Sequence, residues 1–236
     1  MSGFAVFTRE FLRSPMATAA PVPSSAVLSA VALAPLPEGG DPVVLELGAG
    51  HGATTTAVQR RLGGRGRHVA VENNPRLAEV LRRAHPQVEV HCEDAHDTVR
   101  RLAAEGVRID LVYSTLPWSA TSPPDTTIFA ALAPMLTPTG AVSQVQHTWV
   151  RPLPVARQVR RNLETHFEEV VVSRTVWRNA PPAVVFVARR PRVPAPAVDI
   201  APVRDAHRTM EVGPATQVIG SSIPATEWSS PTTSSP

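Results

Sequence analysis

The chain contains no lysine; all 23 of its basic side chains are arginine, against 20 acids, for a formal net charge of only +3. Arginines and acids are interspersed along the sequence. No basic stripe forms, so a nucleic-acid partner is not expected. Abundant Ala, Pro and Arg fit a GC-rich coding bias, which also raises the pI. A single cysteine, Cys92, excludes an internal disulfide and a cysteine-rich metal site, and no metal is expected. That usage fits a reducing cytoplasm. No apolar run is long enough to span a bilayer, and the N-terminus lacks the charged start and small-residue cleavage site of a secretory signal. What remains, at 236 residues, is one domain of ordinary size with room for a core, plus a tail.

The pattern divides the chain into three parts: residues 1–36, 37–190 and 191–236. In the first, Gly3 to Arg13 places Phe4, Phe7 and Phe11 on one helical face, and Pro15 ends that helix. A second helix is expected from Ser24 to Leu33, closed by Pro35. In the second part strands and helices alternate, the signature of a mostly parallel sheet covered on both faces. The expected strands are Val43–Leu47, His68–Glu72, Val88–His91, Ile109–Ser114, Ala141–Gln146, Glu169–Val176 and Ala183–Ala188. The expected helices lie around Ala53–Leu62, Pro75–Ala84, Asp97–Glu105, Asp125–Met135 and Val155–His166. The linker WRNAPP is too short for a crossover helix, so the last two strands should form an antiparallel hairpin. The fold class is therefore α/β and Rossmann-like, a seven-stranded, mostly parallel sheet with a terminal antiparallel strand, as in class I methyltransferases. From Arg190 onward Pro, Ser and Thr dominate, and a disordered tail is expected.

Val43 to Gly52 read VVLELGAGHG, a strand running into a glycine turn and a helix start. Gly48, Gly50 and Gly52 mark places where a ligand approaches backbone. A relaxed dinucleotide fingerprint also fits these glycines. Glu46 separates the two readings, because its carboxylate would repel a pyrophosphate. S-adenosylmethionine (SAM) instead brings a sulfonium and an ammonium. Further acids fall at the carboxyl ends of the following strands, where open α/β sheets bind ligands. Glu72, followed by Asn73, ends strand two and is placed to accept from both ribose hydroxyls. Asp94 ends strand three, placed for the adenine amino group, with Ala95 offering a main-chain contact. Each acid alone also reads as a helix N-cap or a solvated loop residue.

Strand four ends in DLVYSTLPW, which sets Ser114, Leu116, Pro117 and Trp118 over the transferable methyl. Amino-group methyltransferases with an Asn or Asp ahead of a proline loop hold the amine through that side chain. Here the strong acceptor is missing, and the Ser114 hydroxyl or the carbonyls of Thr115 and Leu116 take its place. Trp118 faces either the sulfonium through its ring or the core as a lid residue. Methyl transfer is an in-line displacement on a neutral amine, so proximity supplies most of the catalysis. A general base is optional, with His147, Tyr113 and Asp125 as candidates.

Together, these segments resemble the bacterial phospholipid N-methyltransferases from about Phe7 to Arg190. FLRSPMATAAPVPSS is similar to that family's opening helix and its Pro-Ser-Ser segment, which implies cofactor contact at Ser24 and Ser25. YSTLPW lies where the family carries Ser-Gly-Leu-Pro. QVQHTWVRPLP resembles its Gln-aromatic-Thr-aromatic stretch, and WRNAPPAVVFVARR its Asn-x-Pro-Pro-Ala entry to the last strand. The resemblance implies SAM as cofactor and methyl transfer to the amino group of phosphatidylethanolamine. Thr115, Trp118, His147 and Trp149 depart from the family's residues, all on the substrate side. A soluble small-molecule or peptide amine therefore stays open as acceptor. Adenine methylation of ribosomal RNA is disfavoured, since no Asn precedes Leu116. In the resembled family the first helix docks on anionic lipid; here residues 3–13 serve either that role, at the inner membrane face, or as a lid over the pocket.

Overall fold

The computed structural model describes residues 24–117, 121, 127–150 and 152–192. The expected helix over residues 3–13, Trp118, Asp125 and the tail beyond residue 192 lie outside the described residues. Seven strands form one sheet: β1 (Val43–Leu47), β2 (Arg67–Val71), β3 (Glu89–His91), β4 (Ile109–Ser114), β5 (Leu136–His147), β6 (Phe167–Val172) and β7 (Ala183–Pro191). Their order is β3-β2-β1-β4-β5-β7-β6. β7 runs antiparallel to both neighbours, and the other pairings are parallel. This is the class I methyltransferase sheet expected from the alternating pattern.

Among the described residues the α-helices are α1 (Ala26–Ala32), α2 (Ala53–Leu62), α3 (Pro75–Ala84), α4 (Ala95–Ala104), α5 (Ile128–Leu132) and α6 (Pro154–His166). Their starts are written locally. The Ser25, Asn74, Asp94 and Thr127 side chains cap α1, α3, α4 and α5, and Pro75 and Pro154 sit where no N–H is needed. Strand side chains alternate between two cores. On one face Leu45, Leu47, Val112 and Val142 meet Val99 and Leu102 of α4, Phe129 of α5 and Leu163 of α6. On the other, Val44, Leu111 and Val185 meet Leu28 of α1 and Val58 of α2. Phe129 is fully buried, and truncating it to Ala would cost about 3–5 kcal/mol.

Some boundaries differ from the sequence expectation. β2 stops at Val71, so Glu72 is the first residue past the strand, although its N–H still bonds the His91 carbonyl at 3.0 Å. β6 stops at Val172 instead of Val176. There the chain leaves the ladder as the Ser173 hydroxyl takes the Val185 N–H, and Val176 keeps only an isolated bridge to Ala183. The helix expected to Met135 ends at Leu132 and tightens to a 3₁₀ turn, because Pro134 has no N–H to continue it.

Candidate active site at the carboxyl ends of the strands

The glycine turn follows β1. Gly48 and Ala49 both donate to the Val71 carbonyl, at 2.9 and 3.0 Å, which ties the turn to the end of β2. Gly48 has φ +79, and a Cβ there would stand 3.0 Å from Thr115 Oγ1. At Gly52, φ +94, a Cβ would lie 2.7 Å from Leu81 Cδ1 and 3.2 Å from the His85 ring. Gly52 thus brings α2 close to α3, while Gly48 brings the turn close to the loop after β4.

Glu72 closes the turn from the side. Its Oε2 accepts from the Gly50 N–H at 2.8 Å and its Oε1 from the Asn74 N–H at 2.9 Å. Burial raises its pKa, against those two N–H donors. Each oxygen keeps a second lone pair, so the residue retains the acceptors that two vicinal hydroxyls require. Asn73 beside it is exposed.

Glu46 lies underneath, completely buried. Its Oε2 accepts from the Thr55 hydroxyl at 2.7 Å and pairs with His68 Nε2 at 3.1 Å. The Gln59 amide nitrogen lies 2.9 Å from His68 Nδ1, which puts the imidazole proton on Nε2, toward the carboxylate. Oε1 has no partner among the described residues. Glu46 is thus engaged with Thr55 and His68 and does not meet solvent. His68 is not singled out by the sequence; only its alternation on β2, in register with Val44, two residues before Glu46 on the same face of β1, points to it.

Asp94 is exposed and caps α4 through the His96 N–H at 2.8 Å, the role any acid at a helix start can play, and Ala95 is buried behind it. Ser25 caps α1, and its own N–H donates to Asn179 Oδ1 at 2.8 Å. That bond joins the Pro-Ser-Ser segment to the Asn-Ala-Pro-Pro turn, two stretches 154 positions apart. Ser24 and Thr54 hydrogen-bond the Tyr113 hydroxyl. Burial pushes the Tyr113 pKa up to about 12, so it is a neutral phenol and not a base at neutral pH.

On the acceptor side, Ser114 Oγ accepts from the Leu116 N–H at 3.3 Å. The Thr115 hydroxyl donates to the Gly48 carbonyl at 2.7 Å, latching this loop to the glycine turn. Leu116 and Pro117 are half-buried. His147 ends β5, with its Nδ1 buried and without a partner among the described residues. Burial lowers its pKa, with the Pro181 and Pro182 carbonyls pulling the other way. Gln144, not foreseen from the sequence, donates through Nε2 to the Leu116 carbonyl at 3.1 Å.

The residues fit SAM: two free carboxylate lone pairs of Glu72 beside a glycine turn, the buried carboxyl group of Glu46 behind it, and no phosphate-binding cation near it among the described residues. Bound there, SAM supplies a methyl group activated by a sulfonium.

Comparison with known proteins agrees with this geometry. A methyltransferase domain model matches residues 44–140. The chain is 29% identical over 195 residues to an ornithine lipid N-methyltransferase of Singulisphaera acidiphila, covering 80% of this chain and 97% of that protein. Among solved structures, the O-methyltransferase TomG of Streptomyces achromogenes, in complex with SAM, superposes with a TM-score of 0.59 at 16% identity, covering 80% of this chain and 90% of that one. A Bacillus cereus O-methyltransferase in complex with SAH (S-adenosylhomocysteine, the demethylated cofactor) gives 0.57 at 18% identity, over 78% and 91%. At these identities the structures share the fold.

Proposed function

We propose that this chain, a SAM-dependent methyltransferase, methylates an amine nitrogen carried by a membrane lipid. The observation that carries this reading is the full-length similarity to a lipid N-methyltransferase, 97% of whose length is matched. The Ser25–Asn179 bond supports it, because it unites the two segments that most resemble the phospholipid enzymes.

In this reading Glu72, with Asn73, holds the ribose, Asp94 and Ala95 the adenine end, and Gly48, Gly50 and Gly52 shape the turn around the methionine part. Ser24 and Ser25 close the site from α1, and Glu46 balances the cofactor's positive charge. Ser114, Leu116, Pro117 and Trp118 line the acceptor side. His147, kept neutral by burial, stands where a departing proton can be taken up.

A lipid acceptor requires access to a bilayer. Trp149 and Trp177 are exposed, at 57% and 77%, on loops at the same end of the sheet. Exposed Arg174 and Arg178 flank Trp177. Indole rings with cations beside them suit an anionic lipid–water interface. Residues 3–13, outside the described residues, would add a second contact there. No helix among the described residues is long and apolar enough to cross a membrane.

The test is methyl transfer from labelled SAM to vesicles containing phosphatidylethanolamine or ornithine lipid, run against a panel of soluble amines. Label in the vesicle lipid is expected. Label in soluble amines alone would replace this reading with the second one, which Thr115 in the acceptor loop favours: a small-molecule or peptide amine.

A further inference from the structure

Buried polar atoms without partners are rare in folded proteins, and each marks an unmade hydrogen bond. Among the described residues they are Glu46 Oε1, Ser143 Oγ, Gln144 Oε1, Gln146 Nε2 and His147 Nδ1. All but the first lie on consecutive or alternate positions at the carboxyl end of β5, beside the acceptor loop. Gln144 is register-paired with Ser114, the last residue of β4. Its two amide hydrogens are both engaged, by the Leu116 carbonyl at 3.1 Å and the Val145 carbonyl at 2.9 Å. Those two acceptors fix the amide orientation, since a flipped amide would set oxygen against oxygen. Oε1 is therefore a buried acceptor with both lone pairs free, on a side chain only 2% exposed.

We propose that Gln144 is the positioning residue for the acceptor amine, its Oε1 accepting an N–H of the neutral nitrogen. This rests on the amine reading above and deepens it. The loop Ser-Thr-Leu-Pro lacks the side-chain amide that would orient an amine from β4 itself; Gln144 supplies one from the neighbouring strand while its other end holds Leu116 in place. The N–H bond aims the nitrogen lone pair at the methyl carbon. A C–N bond forms as the S–C bond breaks, the bonding pair stays on sulfur as a neutral thioether, and the nitrogen becomes an ammonium that then releases one proton to solvent by way of His147. Gln144 takes no proton. It needs only a donor, which a primary or secondary amine has and a neutral tertiary amine lacks.

The experiment compares wild type with Gln144→Met and Gln144→Leu, using primary, secondary and tertiary versions of whichever amine is methylated. In both variants kcat/KM should fall about tenfold for the primary and secondary amines and stay within twofold for the tertiary one. Calorimetry on the SAH-loaded protein should show the same pattern in amine affinity, with SAH affinity itself unchanged. An equal loss on all three amines would reduce Gln144 to a loop anchor and overturn the proposal. So would amine affinities that ignore the substitution, which would mean that a bound water satisfies Oε1. Should both variants fail to fold, the wild type still decides: binding tertiary amines as tightly as primary ones refutes the proposal. Methylation of oxygen acceptors alone would instead sink the amine reading on which it stands.

Discussion

Replacing Glu72 with Ala should cut cofactor affinity sharply while leaving the protein folded. The carboxylate makes two backbone hydrogen bonds, to Gly50 N–H at 2.8 Å and Asn74 N–H at 2.9 Å, and keeps one lone pair per oxygen for a ribose hydroxyl. Two charge-assisted bonds, partly replaced by water in the variant, make the loss about 2–3 kcal/mol, or about 30- to 150-fold in Kd. The two freed N–H groups border the cleft and can recruit water, so unfolding stability should fall by about 1–2 kcal/mol, lowering Tm by about 2–8 °C. Glu72→Gln is not a milder change, since its NH₂ must face one of the same two N–H donors. Calorimetric titration with SAH and with its deoxyribose analogue isolates the effect. Wild type should discriminate between them, and the Ala variant should not. The pH dependence has a defined sign. Burial raises the Glu72 pKa above its ordinary 4.5, so SAH affinity should begin to fall, as pH drops, before that value is reached. Unchanged affinity in the Ala variant, or discrimination that survives the substitution, would refute the assignment of Glu72 to the ribose.

Gly52→Ala meets both a left-handed φ of +94 and Leu81 Cδ1 at 2.7 Å, and should destabilise by about 2–4 kcal/mol in denaturant unfolding. Asn179→Ala strands the Ser25 N–H and should cost about 1–3 kcal/mol, read in the same unfolding assay. Burial lowers the pKa values of His51, His85, His147 and His166 from 6.5. Their stabilising contribution is complete above 6.5 and is lost as pH falls through the lowered folded values, so Tm should decline on acidification from about pH 6.5. Glu72 opposes the decline, because its raised pKa adds stability once it protonates. A flat Tm between pH 7 and 5 would contradict the assignment of these histidines as neutral in the native state.

The fold was legible because the parallel strands are covered on both faces and so read as apolar runs, and because caps such as Asn74-Pro75 and Asp94 are local. Positions of acids at strand ends were legible for the same reason. Their partners were not. Whether Glu46 projects into the cleft or beneath the turn depends on Thr55 and His68, nine and 22 positions away, meeting its carboxylate. Gln144, whose amide holds the Leu116 carbonyl of the loop after β4, comes from the next strand, 28 positions on, where no local pattern points to it. Strand ends slipped where a side chain takes over from the ladder, as Ser173 does at the end of β6.

The most direct test of the account follows a ¹³C-labelled methyl group from SAM, through the purified protein, into bilayers of an amine-bearing lipid, with the product's attachment read by carbon–nitrogen coupling in ¹⁵N-labelled lipid. A methyl carbon bonded to nitrogen is the expected product. A methyl found on oxygen, or none transferred by protein that binds SAM, would contradict it.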